Sequence, residues 1–181
     1  AIGAAEFKVL LHELKHDLNA YLASTDPQQV RTRTLADVIA FNAAEPRETA
    51  LFGQDIFEQA QATGGLDDPD YIQARATSLR LAGPEGIDRL MRQHRLAALI
   101  APTTSRAWTN DPRDEDDMLG SAGQLAAVAG YPHLTVPMGF DRGMPVGLSF
   151  IGGKWDDARI LSLGYAFEQA TQARRPPTPR P

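Results

Sequence analysis

His12-Glu13-Leu14-Lys15-His16 has the spacing of a zinc hydrolase helix. In that chemistry two histidines one turn apart bind the metal, and the intervening glutamate serves as general base. The apolar residues Phe7, Leu11, Leu14, Leu18, Tyr21 and Leu22 recur at helical spacing around the motif. At 3.6 residues per turn their stripe places both histidines on the opposite, solvent-facing side, where a catalytic site is not expected. No clear third-ligand motif follows, Glu45 and Glu48 being the candidates on offer, and the expected metal ligand set is none.

The other reactive residue types are equally isolated. His94 falls on the inward face of an expected helix and His133 at the start of an expected strand, and both read as hydrogen-bonded structural residues. A catalytic serine needs an adjacent base and an oxyanion-stabilising loop. None of Ser24, Ser78, Ser105, Ser121, Ser149 and Ser162 sits in a nucleophile elbow, and none of Lys8, Lys15 and Lys154 has a serine beside it in a Gly-rich setting. Gly64-Gly65 and Gly152-Gly153 lack the residues of a phosphate loop, and Asp114-Glu115-Asp116-Asp117 lacks calcium-loop spacing and reads as a solvated loop.

The elements that must position these residues begin with an amphipathic helix from about Ala4 to Ala23. Thr34 with Asp37 forms a capping pair for a short helix burying Leu35, Val38 and Ile39, and another helix spans Gln54 to Ala62. Asp68-Pro69 starts a helix with Ile72, Ala76 and Leu79 inward, and Gly83-Pro84 separates it from one carrying Ile87, Leu90, Met91 and His94. The apolar run Leu96 to Ala101 stops at Pro102 and reads as a buried strand. Thr103 to Leu119 is a loop, Ser121 to Ala129 a small-residue helix, and His133 to Met138 and Val146 to Ile151 two strands joined through Gly139 and Gly143. A last helix from about Asp156 turns Ile160, Leu163, Phe167 and Ala170 inward.

The chain thus divides into a helical segment, 1–95, a strand-helix-strand-strand-helix segment, 96–175, and a Pro-rich tail, 176–181. Three apolar strands are few for 181 residues, and such runs belong to a sheet covered on both faces. The expected fold class is α/β, part of a sheet that is incomplete in this chain.

Composition narrows the function classes. A hydrophobic fraction of 43% with 23% charged residues is that of a globular protein, and a net charge of −5 with scattered arginines argues against strong electrostatic attraction to nucleic acid, so no nucleic-acid partner is expected. Gly120 to Phe140 has no charged residue, but its glycines and prolines break the helix a bilayer requires, so no membrane partner is expected. The N-terminal residues do not read as a signal peptide. With no cysteine there is no disulfide framework or thiolate site; the expected compartment is cytoplasmic.

Leu99-Ile100-Ala101-Pro102-Thr103, Ala126 to Gly139 (AAVAGYPHLTVPMG), and Gly143 to Gly153 (GMPVGLSFIGG), closed by the Asp156-Asp157 start of a helix bearing Ile160 and Leu161, together resemble the end of an amidase signature enzyme. The peptide amidases are the nearest in flavour. Glu6-Phe7-Lys8, Tyr21-Leu22 and Leu35 to Asn42 resemble, more loosely, the helical stretch that precedes these motifs. Ala127 departs from the family, many of whose members have Asn there.

The resemblance implies a mixed central sheet flanked by helices and hydrolysis of carboxylic or peptide amides through a Ser–cis-Ser–Lys triad and an acyl-enzyme, with no cofactor. That triad lies upstream of the matching region, so no catalytic residue is carried onto this chain, and the chain alone is expected to be inactive. The implied partners are an amide or peptide amide substrate and the N-terminal part of the same protein. Open strand edges also predict homodimerisation. Pocket wall is what this portion would supply: Thr103, Thr104 and Trp108 follow a strand's C-terminal end, and Gln124 lies across from them. The alternative reading is a non-catalytic binding or assembly module of the same fold, with a zinc hydrolase using His12, Glu13 and His16 a distant third.

Overall fold

The computed structural model describes residues 2–108 and 120–177. The acidic run at 114–117, most of the loop expected over 103–119 and the end of the Pro-rich tail lie outside them. The chain divides into two compact units, Ala1–Ser78 and Leu79–Pro181.

The first unit is helical: α1 (Ile2–Ser24), α2 (Leu35–Ala44), α3 (Asp55–Gln61) and the greater part of α4 (Pro69–Ala82). The expected capping box forms. Thr34 Oγ1 accepts from the Asp37 amide, and the Asp37 carboxylate accepts from the amides of Arg33 (2.8 Å) and Thr34 (3.0 Å). The Arg33 amide, and after it the Thr34 hydroxyl, hold the Asp37 carboxyl below its ordinary range.

The face that α1 turns inward differs from the expected one. His12 is buried, at 6% exposure, while Phe7, Leu10 and Tyr21 are exposed. The reason is that the short neighbouring helices need polar partners for their ends. Lys15 Nζ donates to the carbonyls of Gln61 (2.9 Å) and Thr63 (2.7 Å) just at and beyond the end of α3, and Asn19 Oδ1 accepts the first amide of α2, from Leu35, at 2.7 Å. The apolar stripe is thus only partly the inward face: Leu22 is buried and Leu11, Leu14 and Leu18 are half-buried, while Phe7 and Tyr21 are exposed. The same rotation recurs in α4, where Tyr71, Ala74, Ser78 and Ala82 are buried while Ile72 and Ala76 are exposed.

The second unit continues from α4 without the expected break. Gly83–Ile87 is a π-helical turn leading directly into α5 (Asp88–His94). A π turn spares Pro84, which has no amide, from the α-helical ladder. The bare Gly83 Cα admits the Tyr131 hydroxyl, which would lie 3.2 Å from a Cβ there. His94 ends α5 exposed rather than inward.

Then follow β1 (Leu99–Pro102), α6 (Gln124–Ala129), β2 (His133–Asp141), β3 (Met144–Ile151) and α7 (Asp157–Thr171). The three strands form an antiparallel sheet in the order β1-β3-β2. Arg142 and Gly143, at φ 49° and 81°, make the two-residue hairpin turn between β2 and β3. Gly139 lies within β2, at a bulge, rather than in the connecting loop. β1 begins three residues later than Leu96, alternates in burial and leaves Ile100 exposed, so among the described residues it is an edge strand and not covered on both faces.

Each sheet face has its own core. Val136, Leu148 and Phe150 pack on Ile160 of α7, with Leu134, Leu163 and Phe167 around them; Ala170, expected inward, is exposed. On the other face Ile151 packs with Ile87 and Ala126. Gly164 lets α7 close onto β2, because a Cβ there would collide with Leu134.

Candidate functional site

The metal motif does not assemble. His12 Nδ1 lies 2.8 Å from the Lys8 carbonyl, an acceptor, so that nitrogen carries the proton. His16 is exposed and its Nδ1 is 2.7 Å from the Asp17 carboxylate. Glu13, the base the zinc chemistry would need, accepts the Tyr71 hydroxyl at 2.8 Å, and that bond, ahead of burial, raises the Tyr71 phenol above its usual range. Among the described residues no group of three or more His, Asp and Glu side chains is placed to hold a metal ion.

The end of β1 is the more informative region. Two open clefts meet at Pro102, Thr104 and Ser105. One, about 480 Å³, continues along Ala101 and Gly120 to Ala122; the other, about 430 Å³, runs over Arg106, Met138 to Asp141 and Val146. Arg106 Nη1 stands 3.5 Å from the Asp141 carboxylate at the second cleft.

Thr104 alone of the four expected wall residues lines these clefts, and it lines both. Its hydroxyl donates to the Gly120 carbonyl at 3.0 Å. Thr103 lies directly behind it, with its amide donating to the Gly147 carbonyl and its carbonyl accepting the Ala122 amide. Those two backbone bonds fasten the point where β1 leaves the sheet. Trp108 is half-buried further along the loop, and Gln124 is exposed at the first position of α6.

Behind this wall runs a polar chain that reading the sequence missed. His133 Nε2 is 2.6 Å from Ser149 Oγ; Ser149 donates to Thr103 Oγ1 at 2.9 Å; Thr103 Oγ1 is 2.6 Å from Thr135 Oγ1. A serine this close to an imidazole has the spacing of an activated nucleophile. The sequence reading, which looked for a nucleophile elbow or a lysine beside a serine, did not pair Ser149 with His133. Burial decides against attack, however: Ser149 is 0% exposed and spends its proton on Thr103, so no carbonyl reaches it. The signal in the sequence was the alternation of His133 and Thr135 on one strand, which puts both on one sheet face. Tyr131, on the same unit, gives its hydroxyl to Asp88 at 2.9 Å; burial first, then that carboxylate, raises its phenol.

Comparison with known proteins adds to this geometry. The family profile described as amidase matches residues 4–161. A peptide amidase crystallised with the competitive inhibitor chymostatin superposes with a TM-score of 0.90 at 48% identity, covering 98% of this chain and 36% of that one. Native peptide amidase from Stenotrophomonas maltophilia superposes at 0.87 with 48% identity, covering 98% of this chain and 35% of that one. A protein of Arabidopsis thaliana described as a probable amidase is 34% identical over 172 residues, 93% of this chain and 30% of its own length. The chain thus spans about a third of the length of the relatives it matches.

Proposed function

Because this chain belongs to the amidase family, we propose that it is the C-terminal portion of an amidase-signature hydrolase that cleaves carboxylic or peptide amides. The acyl-enzyme chemistry is that of a Ser–cis-Ser–Lys triad lying upstream of these residues. The lysine draws a proton through the bridging serine, the second serine attacks the amide carbonyl, and water releases the acyl group. The mixed central sheet is completed by the upstream portion, to which β1, β3 and β2 contribute one part. No metal or organic cofactor enters the reaction.

The observation that carries this reading is the superposition of nearly the whole chain on about a third of a peptide amidase. That relative's complex with chymostatin, a competitive inhibitor, favours peptide amides as the substrate class. Thr103, Thr104, Trp108 and Gln124 form part of the substrate pocket wall. Thr104 has the clearest claim, as a hydroxyl residue lining two clefts beyond a strand end.

The test compares this chain with a version extended by its upstream coding sequence, measuring ammonia released from a peptide amide. Activity is expected only in the extended protein, and a serine-directed inhibitor should abolish it. The upstream sequence should encode a lysine and a Gly/Ser-rich stretch with paired serines. Inhibitor-sensitive hydrolysis by the 181 residues alone would overturn the reading.

A further inference from the structure

Trp155 stands apart from every other large apolar side chain. At 83% exposure it is the most open of them among the described residues, and its φ of 66° lies in the left-handed region. A bulky residue is rarely found there, because its Cβ crowds the following carbonyl oxygen. The Asp156 amide donates to the Gly153 carbonyl at 3.1 Å, which closes a four-residue turn with Trp155 at its third position. A positive φ at that position ordinarily favours glycine or asparagine.

The turn cannot relax to suit its side chain. At one end the Gly152 amide donates to the Pro132 carbonyl at 3.0 Å, and a Cβ on Gly152 would lie 2.7 Å from Ile160 Cγ1 in the α7 core. At the other end the Asp156 carbonyl accepts the Ile160 amide at 3.0 Å. These contacts fix where the indole points. Among the described residues its one ring contact is Lys154 Nζ, 5.7 Å from the ring centroid, and Lys154 is merely its neighbour in the chain. On the helix that follows, Leu161 and Tyr165 lie one turn apart and are 59% and 65% exposed.

Backbone strain persists where something in the folded protein offsets it. A ligand would offset it only while bound, whereas this turn is strained at all times, so a permanent cover is required. The chain spans about a third of the peptide amidases on which it superposes, and the rest of such an enzyme must rest against part of its surface. Tryptophan is the residue type that most often anchors a contact of this kind.

We infer that Trp155 is an anchor on which the upstream portion of the same protein docks, receiving the indole in an apolar pocket of its own. Leu161 and Tyr165 leave the outer side of α7 apolar beyond it. This rests on the amide-hydrolase reading.

The test uses the whole amidase of which this chain is proposed to be a portion. Trp155→Asn and Trp155→Gly both relieve the turn, since these residues accept a positive φ. On an uncovered turn Trp155→Asn should melt at or above the wild-type temperature. On a covered one it should melt below, because the lost indole leaves a cavity. The lower melting temperature is expected for both variants, with Trp155→Phe between them and wild type. Fluorescence supplies a second readout, in which the difference between wild type and Trp155→Phe isolates the Trp155 emission. That emission should be blue-shifted and shielded from acrylamide at every protein concentration, with or without a peptide amide. A melting temperature that holds or rises in Trp155→Asn overturns the inference, as does a red-shifted, quenchable Trp155. Shielding that needs high protein concentration points to a second copy, and shielding that needs the peptide amide points to the substrate; each overturns it too. All four leave the amidase reading intact while the unsubstituted enzyme releases ammonia from the peptide amide. A whole protein that hydrolyses no amide overturns both.

Discussion

Thr135 and Ser149 are paired across β2 and β3 and both hydrogen-bond the Thr103 hydroxyl, and the bare Gly147 Cα leaves room for the two threonine hydroxyls. Gly147→Ala places a methyl 2.5 Å from Thr135 Oγ1 and 3.3 Å from Thr103 Cβ. Both neighbours are β-branched and stiff. The substitution should destabilise the fold by about 1–3 kcal/mol, the usual cost of overpacking, read as a lowered denaturant midpoint with unchanged slope. A midpoint equal to wild type would mean the threonines move apart freely.

Ser149→Ala removes the fully buried hydroxyl and leaves His133 and Thr103 each short of a partner. A loss of about 1–3 kcal/mol is expected. Replacing Ile160, 2% exposed in the α7 core, by Ala should cost about 2–5 kcal/mol, more than Ser149→Ala. Equilibrium unfolding of the two variants side by side gives the order.

The capping box at α2 predicts an acid dependence with a definite sign. Because the Asp37 pKa is lowered in the folded state, its contribution is present above the ordinary aspartate range and is lost as pH falls below it. Thr34→Ala should destabilise by about 1 kcal/mol near neutral pH. Asp37→Asn should cost stability near neutral pH and little at low pH; a pH-independent difference between Asp37→Asn and wild type would contradict the assignment.

Exposed apolar side chains are numerous in the first unit. Tyr21, Phe41, Leu51 and Phe52 are each more than half exposed. With β1 and β2 as the edges of the sheet among the described residues, the chain alone should self-associate and bind a hydrophobic dye. Sedimentation at several concentrations checks this, and a sharply monomeric, dye-free chain would argue for the binding-module alternative.

Much of the frame was legible from local chemistry. Thr34 and Asp37 mark a helix start because side-chain oxygens must serve amides that have no helical partner. Asp68-Pro69 does the same for α4, and spaced motifs in the second half carried the family resemblance confirmed over residues 4–161. The buried face of a helix was legible in α7, where Ile160, Leu163 and Phe167 pack inward, and only partly so in α1 and α4. In α1 His12 is buried along with Leu22 while Phe7 and Tyr21 are exposed, and Lys15 and Asn19 satisfy backbone groups that only the folded unit brings near.

The polar chain was hidden for a sharper reason. A regular ladder from the Arg142-Gly143 turn would set Thr135 against Phe150. The bulge between Pro137 and Gly139 inserts Met138 and moves the register by one residue, which sets Thr135 against Ser149 instead. A shift of one turns every side chain beyond it to the other face. The residue types were in the sequence from the start; the bulge, a property of two strands together, decided that a histidine, a serine and two threonines would share hydrogen bonds.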